Sequence, residues 1–105
     1  MVEDDELVID IWQEEADKAN VKLMVFRSPK ETSRALVNFD KKNTEFFVDV
    51  NFSGERTGAD FAKNLHSLGY KVNLSTSYPS YAFSEYSVIG IGVLGKDPPW
   101  SGAVS

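Results

Sequence analysis

Two stretches of this chain each carry a single apolar stripe at helical spacing, and this feature does most to limit the folds open to it. In the first, roughly Glu6 to Ala19, the residues Leu7, Val8, Ile11, Trp12, Ala16 and Ala19 recur on one side of a helix. Asp4 or Asp5 can cap its start, acids in its first turn suit the positive end of the helix dipole, and Asn20 suits a left-handed stop. In the second, Phe61, Ala62, Leu65 and Leu68 form the stripe, with Thr57 and Asp60 in a modest capping box and Gly69 as the stop. A helix with one apolar stripe must lay it on another layer of structure.

Strand-like runs supply that layer. Val21–Phe26 is short and apolar, and Arg34–Phe39 and Glu45–Phe52 flank a polar connection, "DKKNT", as a hairpin would. In the last run Phe46, Val48, Val50 and Phe52 share one face, while Phe47, Asp49 and Asn51 share a wetter one. Tyr70–Thr76 alternates again, and Tyr86–Leu94 is the most apolar segment of the chain. The expected fold is α+β, a two-layer sandwich of order α-β-β-β-α-β-β, with two helices on one face of a mostly antiparallel five-stranded sheet. At 105 residues the chain is expected to form a single domain, 1–105. It has an acidic N-terminal helix at about 5–20 and an irregular C-terminal tail, 96–105, that consecutive prolines keep from becoming regular.

The charge is uneven. Residues 1–20 hold eight acids against one base, a net of −7, and residues 21–105 hold ten bases and eight acids, a net of +2. A chain of net charge −5 is repelled at long range by phosphate backbones, so nucleic acid is not the expected partner and a basic protein surface is. There is no cysteine, which excludes disulfides and thiolate chemistry and suits a reducing compartment. No apolar run reaches the ~18 residues of a membrane span, and an acidic start does not resemble a secretion signal. The chain is expected to be cytoplasmic, with no membrane contact.

Gly90, Gly92 and Gly95 fit G-x-G-x-x-G, and Gly95–Lys96 fits the end of a phosphate-binding loop except that Asp97 replaces the hydroxyl residue. Both motifs need a helix to follow, whose N-terminus faces the phosphates. "KDPPW" follows instead, so no nucleotide is expected, and Gly90 and Gly92 are read as packing glycines on a strand. His66 is the only histidine and is read as lying on a helix surface. With one histidine and no cysteine, only hard oxygen ligands remain for a metal, and no metal, cofactor or catalytic set is expected. Asp49 sits within a strand and is expected either to pair with a cation, Arg34 or Lys71 for example, or to be solvated on a wet face.

Two surfaces qualify for partner binding. Asp10, Glu14 and Asp17 form an acidic stripe on the first helix. Tyr78, Tyr81, Phe83 and Tyr86 crowd a serine-rich loop, and rings of this kind offer large contact area for little entropy loss. The expected function is that of a small acidic protein-binding module, an inhibitor or immunity/anti-defence type protein docking on a basic surface of a larger, nucleic-acid-processing enzyme. In composition the chain is similar to such inhibitors as a class.

The alternative is nucleic-acid binding through the basic segment Lys22–Lys42, with a small enzyme as the third choice. The α-β-β-β-α order over about the first 69 residues resembles that of the double-stranded RNA-binding fold, which has a basic cluster at the start of its second helix. "GERTGADFAKNLHS" has only Arg56 near that start and Lys63 later, so the RNA contacts do not carry over. An edge strand, Val21–Phe26 or Tyr70–Thr76, could pair two copies as a homodimer.

Overall fold

The computed structural model describes residues 1–50 and 57–100. Both expected helices form. Helix α1 spans Glu6–Lys18, and the Asp5 carboxylate caps it by accepting the Leu7 N–H at 3.0 Å. The chain turns out of it at Asn20, φ 57°. The buried face is Ile9, Trp12 and Ala16, whereas Leu7 and Ile11 remain 75% and 49% exposed. A second, shorter helix, α2, covers Pro29–Ala35 and continues as a 3-10 turn over Leu36–Asn38. Helix α3 runs Thr57–Ser67 and stops at Gly69, φ +99°. A 3-10 turn at Ser80–Phe83 leads into α4, Ser84–Val88.

The sheet differs from expectation in direction and size. Strands β1 (Glu45–Asp49), β2 (Lys71–Ser75) and β3 (Gly92–Leu94) form a three-stranded sheet in the order β1-β2-β3, and both pairings are parallel. Phe46 stands opposite Val72, Asp49 opposite Ser75, and Ser75 opposite Leu94. The physical reason is connectivity: α3 lies between β1 and β2, and α4 between β2 and β3, and a helical crossover returns the chain in the same direction. Two single-residue parallel bridges extend the layer beyond β1, from Val2 to Val48 and from Val2 to Phe26. Across the layer the segments therefore lie in the order Phe26, Val2, β1, β2, β3, all parallel.

Helices cover both faces of this layer rather than one. Phe46, Val48 and Val50 join a core with Ala59, Ala62 and Leu65 of α3 and with Phe83, Tyr86 and Ile91. Phe47 points the other way, into a second cluster with Ile9 and Trp12 of α1 and, at its margin, Leu94 and Trp100. The "wetter" face of β1 is thus buried against α1, and Asp49 at the strand's end is buried with it. Strands covered on both sides read as continuous apolar runs, which "FFV" is.

Three expected strands become something else. Val21–Phe26 contributes a single bridge, at Phe26. Arg34–Phe39 belongs to α2 and its 3-10 extension, so the expected hairpin does not exist. The cause is a strong helix start: Ser28 Oγ accepts the Glu31 N–H at 3.1 Å, Pro29 takes the first turn, and Glu31 reaches back to the Arg27 N–H at 2.8 Å. Tyr86–Leu94 splits into α4, a turn and β3; Val88 and Ile89 are exposed, and Gly90 takes φ +95° beside His66, which is partly buried. Only Gly92 of the paired glycines lies on a strand, where it makes room for the Asn73 side chain. Strand β2 has neighbours on both sides and offers no free edge, while the end of the expected β1 run, 51–52, lies outside the described residues. Among the described residues no helix is long and apolar enough to cross a membrane.

Candidate functional site

The order of segments across the layer reverses once. The chain starts at Val2, passes through α1 to Phe26 on one side, then returns through α2 to β1 on the other. In doubly wound parallel sheets the crevice opens at the carboxyl ends of the strands where the order reverses, and ligands bind there. The residues that follow Val2 and Val48 into that crevice are Glu3 and Asp49.

Both are held by one lysine. Lys96 follows β3, and its Nζ lies 2.7 Å from Asp49 Oδ1 and 2.9 Å from Glu3 Oε1. Glu3 is 2% exposed, so its carboxylate is almost wholly removed from water. Its second oxygen accepts the Asp4 and Asp5 N–H groups at 3.1 and 3.3 Å. Burial nonetheless pushes the Glu3 pKa up from the ordinary glutamate value; the Lys96 hydrogen bond opposes this, and the neighbouring Asp49 charge adds to it. For Lys96, burial also works against the charge, but the hydrogen bonds its ammonium donates to Asp49 and Glu3 outweigh it and hold its pKa above the ordinary lysine value. The asymmetry has a simple cause: the ammonium serves two carboxylates, and each carboxylate has only a share of one ammonium.

Asp4 stands beside this pair. Carboxylate oxygens of Glu3, Asp4 and Asp49 lie within 4.8 Å of one another, and Asp4 itself is exposed. Three hard oxygen donors at a crevice suit a magnesium-like ion, which keeps several waters and binds through one or two carboxylates plus phosphate oxygens. The carboxyl end of β2 adds two buried hydroxyl residues. Ser75, opposite Asp49 in the register, donates from Oγ to the Gly95 carbonyl at 3.1 Å, and Thr76 Oγ1 accepts the Tyr78 N–H at 3.0 Å. A cleft of about 410 Å³ lined by Thr76, Tyr78, Gly95 and Lys96, among others, runs along this edge.

Of the residues singled out from sequence for partner binding, Tyr78 lines this cleft and the others lie elsewhere. Asp10, Glu14 and Asp17 are exposed on α1, where Lys18 sits 3.5 Å from both Glu14 and Glu15. Tyr78 and Tyr81 are 48% and 80% exposed, but Phe83 and Tyr86 are core residues at 1% and 7%. Their rings meet at 5.9 Å, with the Lys63 Nζ 4.9 Å from the Tyr86 ring centre. Asp49 has a cation partner as expected, but it is Lys96; Lys71 pairs instead with Glu45, at 3.6 Å. Gly95–Lys96 contacts carboxylates through its lysine, and among the described residues no helix follows it.

The cluster is not legible in the sequence because Glu3, Asp49 and Lys96 are 46 and 47 residues apart along the chain and meet through the parallel sheet. One signal was available. Glu3–Asp4–Asp5 directly follows an apolar pair, and Asp49 directly follows "FFV", each an acid at the end of a short apolar run. Comparison of the chain with known proteins finds no matching family, no similar curated protein and no similar solved structure.

Proposed function

We propose that this chain is a phosphoryl-receiving regulatory domain, with Asp49 as the acceptor. The observation that carries the reading is Lys96 Nζ lying between Asp49 and the buried Glu3, next to Asp4, at the carboxyl ends of parallel strands. Glu3, Asp4 and Asp49 would hold a divalent cation such as Mg²⁺. When bound, such an ion neutralises charge that develops on a transferring phosphoryl group. A carboxylate is a competent phosphoryl acceptor once a cation offsets its repulsion from the incoming anion.

The residues divide the work by position. An Asp49 carboxylate oxygen attacks the phosphorus of a donor; the new O–P bond forms as the bond from phosphorus to the donor breaks. The electron pair leaves with the donor group, which takes a proton from water, and Asp49 becomes an acyl phosphate. Lys96 Nζ, already 2.7 Å from Asp49, is placed to hold the arriving phosphoryl oxygens. Ser75 is opposite Asp49, and its hydroxyl now donates to a neutral carbonyl; a phosphoryl oxygen is a stronger acceptor, so modification would draw it away from Gly95. That exchange would couple Asp49 to the β2–α4 segment that carries Tyr78 and Tyr81.

The test is incubation with Mg²⁺ and phosphoramidate, a small phosphoryl donor, followed by intact-mass measurement. A single Mg²⁺-dependent phosphoryl addition is expected, removed by hydroxylamine and lost in Asp49→Asn. Addition that persists in Asp49→Asn, or that maps to His66, overturns the reading. A second proposal, docking of an inhibitor-type module on a basic protein surface, is favoured by α1, where Leu7 and Ile11 are exposed among the acids Asp10, Glu14 and Asp17.

A further inference from the structure

Lys96 does not lie on a strand, yet the site depends on where it stands. β3 ends at Leu94, whose carbonyl accepts the Thr76 N–H at 3.0 Å. Beyond it two side chains hold the backbone: Ser75 Oγ on the Gly95 carbonyl at 3.1 Å, and Trp12 Nε1 on the Lys96 carbonyl at 2.8 Å. Trp12 belongs to α1 and is fully buried, at 0% exposure. Its ring is set by two others, with centroids 5.3 Å away at Phe47 and 5.4 Å away at Trp100. Those two rings meet each other at 5.8 Å, which closes a triangle around the indole. Phe47 is itself two residues before Asp49 on β1. An indole has one donor, and here it is committed to Lys96.

We infer that Trp12 is a positioning residue for Lys96, fixing the lysine carbonyl so that its ammonium reaches the acidic pair, and that α1 thereby sets how firmly the site holds a phosphoryl anion. The inference rests on the phosphoryl-receiving reading. It makes the two ligands of the site respond in opposite senses. The ammonium occupies Glu3 and Asp49 oxygens that a divalent cation would share, so cation and lysine compete. A phosphoryl anion needs the ammonium, so anion and lysine cooperate. Loosening Lys96 should therefore leave cation binding unchanged or tighten it, and should weaken anion binding.

Trp12→Phe keeps a buried ring and removes the donor. Mn²⁺ alone, followed by electron paramagnetic resonance, is expected to bind with unchanged affinity or up to severalfold more tightly. Beryllofluoride, a phosphoryl mimic added with Mg²⁺, is expected to bind roughly tenfold more weakly, the size typical for losing a supporting contact of this kind. Phosphoramidate labelling of Asp49 should slow to a similar extent. A purely structural role for Trp12 would weaken both ligands together, as global loosening does. Should the phenylalanine variant fold poorly, replacing Trp12 with benzothienylalanine keeps the shape of the indole and exchanges only the N–H for sulfur. Parallel weakening of Mn²⁺ and beryllofluoride, or no change in either, overturns the inference while wild-type labelling stands. Wild-type protein that binds neither ligand overturns the phosphoryl-receiving reading, and the role of Trp12 with it.

Discussion

Lys96→Met should destabilise the fold strongly at neutral pH and much less in acid. The substitution keeps the length and most of the volume of the side chain but removes the one cation that, among the described residues, lies between Asp49 and Glu3, 2.7 and 2.9 Å away. Taking one partner from a buried ion pair costs ~3–5 kcal/mol, because the remaining charge is stranded. The lysine side chain keeps 29% of its exposure, so water screens part of this and about 2–3 kcal/mol is expected. For a chain of this size that is roughly 8–12 °C in Tm.

The pH dependence follows from the direction of the Glu3 shift. Its folded pKa already lies above the ordinary value of 4.5 because it is buried, and without Lys96 it rises further. A raised folded pKa means stability that is fully present below the unfolded value and lost as pH climbs through the folded one. The deficit of Lys96→Met against wild type should therefore be largest at about pH 7–8 and shrink toward about pH 4.5. Wild type has its own alkaline limit, because the raised Lys96 pKa contributes stability below about 10.5 that disappears as pH rises through it. Thermal unfolding followed by circular dichroism across this range is the assay. Equal stability of the two proteins at pH 8, or a deficit that does not change with pH, refutes the reasoning.

Gly58→Ala tests the packing that shapes the crevice: a Cβ at that position runs into the backbone carbonyls of Asp49 and Val50, with the Gly58 N–H donating to the Val50 carbonyl at 3.0 Å. A loss of about 2–4 kcal/mol in urea unfolding is expected, since neither carbonyl can move without disturbing β1, and a loss under about 0.5 kcal/mol would show the contact to be soft. Charge reversal at Asp10→Lys/Glu14→Lys separates the two proposed roles: both residues are exposed on α1 and outside the acidic cluster, so phosphoramidate labelling of Asp49 should be unchanged. Affinity for a partner with a basic face, measured by calorimetry at low salt, should fall at least tenfold, and an unchanged affinity removes α1 from the docking proposal.

Much of the local structure was legible. The Asp5 cap, the stops at Asn20 and Gly69, the buried Ala62 and Leu65 of α3 (Leu68 is exposed) and the cores of β1 and β2 follow from spacing and turn chemistry acting over a few residues. Strand direction does not act at that range. The alternation in "EFFVDVNF" suits an antiparallel strand with one wet face, yet Phe46, Phe47 and Val48 in succession equally suit a strand covered on both sides. What decides is the helix between β1 and β2, a crossover that the order β-α-β already contained. The strand nearest the site could not be seen at all, because a single bridging residue, Val2, has no period to detect. Ser28-Pro29-Lys30-Glu31 was a legible helix start, and the apolar residues beyond it, Leu36 and Phe39, are three apart, which suits a helical turn and puts them on opposite faces of a strand.

The acidic cluster is poorly explained as a device for stability. Glu3 is buried, its charged form is disfavoured there, and its one cation among the described residues is shared with Asp49. Three apolar residues of similar volume at Glu3, Asp49 and Lys96 would fill the same space without stranding any charge, and replacements of that kind are often neutral or stabilising. Most of the rest of the fold follows ordinary rules, with apolar strands and aromatic clusters on both faces of the sheet, although the buried Trp100 Nε1 has no partner among the described residues and α4 lacks a side-chain cap. A local departure from those rules at the crevice of a parallel sheet, where bound ligands are expected, is better accounted for by chemistry than by folding. The same logic fixes the rank of the two proposed surfaces. The acids of α1 cost the fold little, being solvated, whereas Glu3, Asp49 and Lys96 are held together against their desolvation by contacts from α1, β2 and the amino-terminal residues, and an arrangement kept under that load is the one to test first.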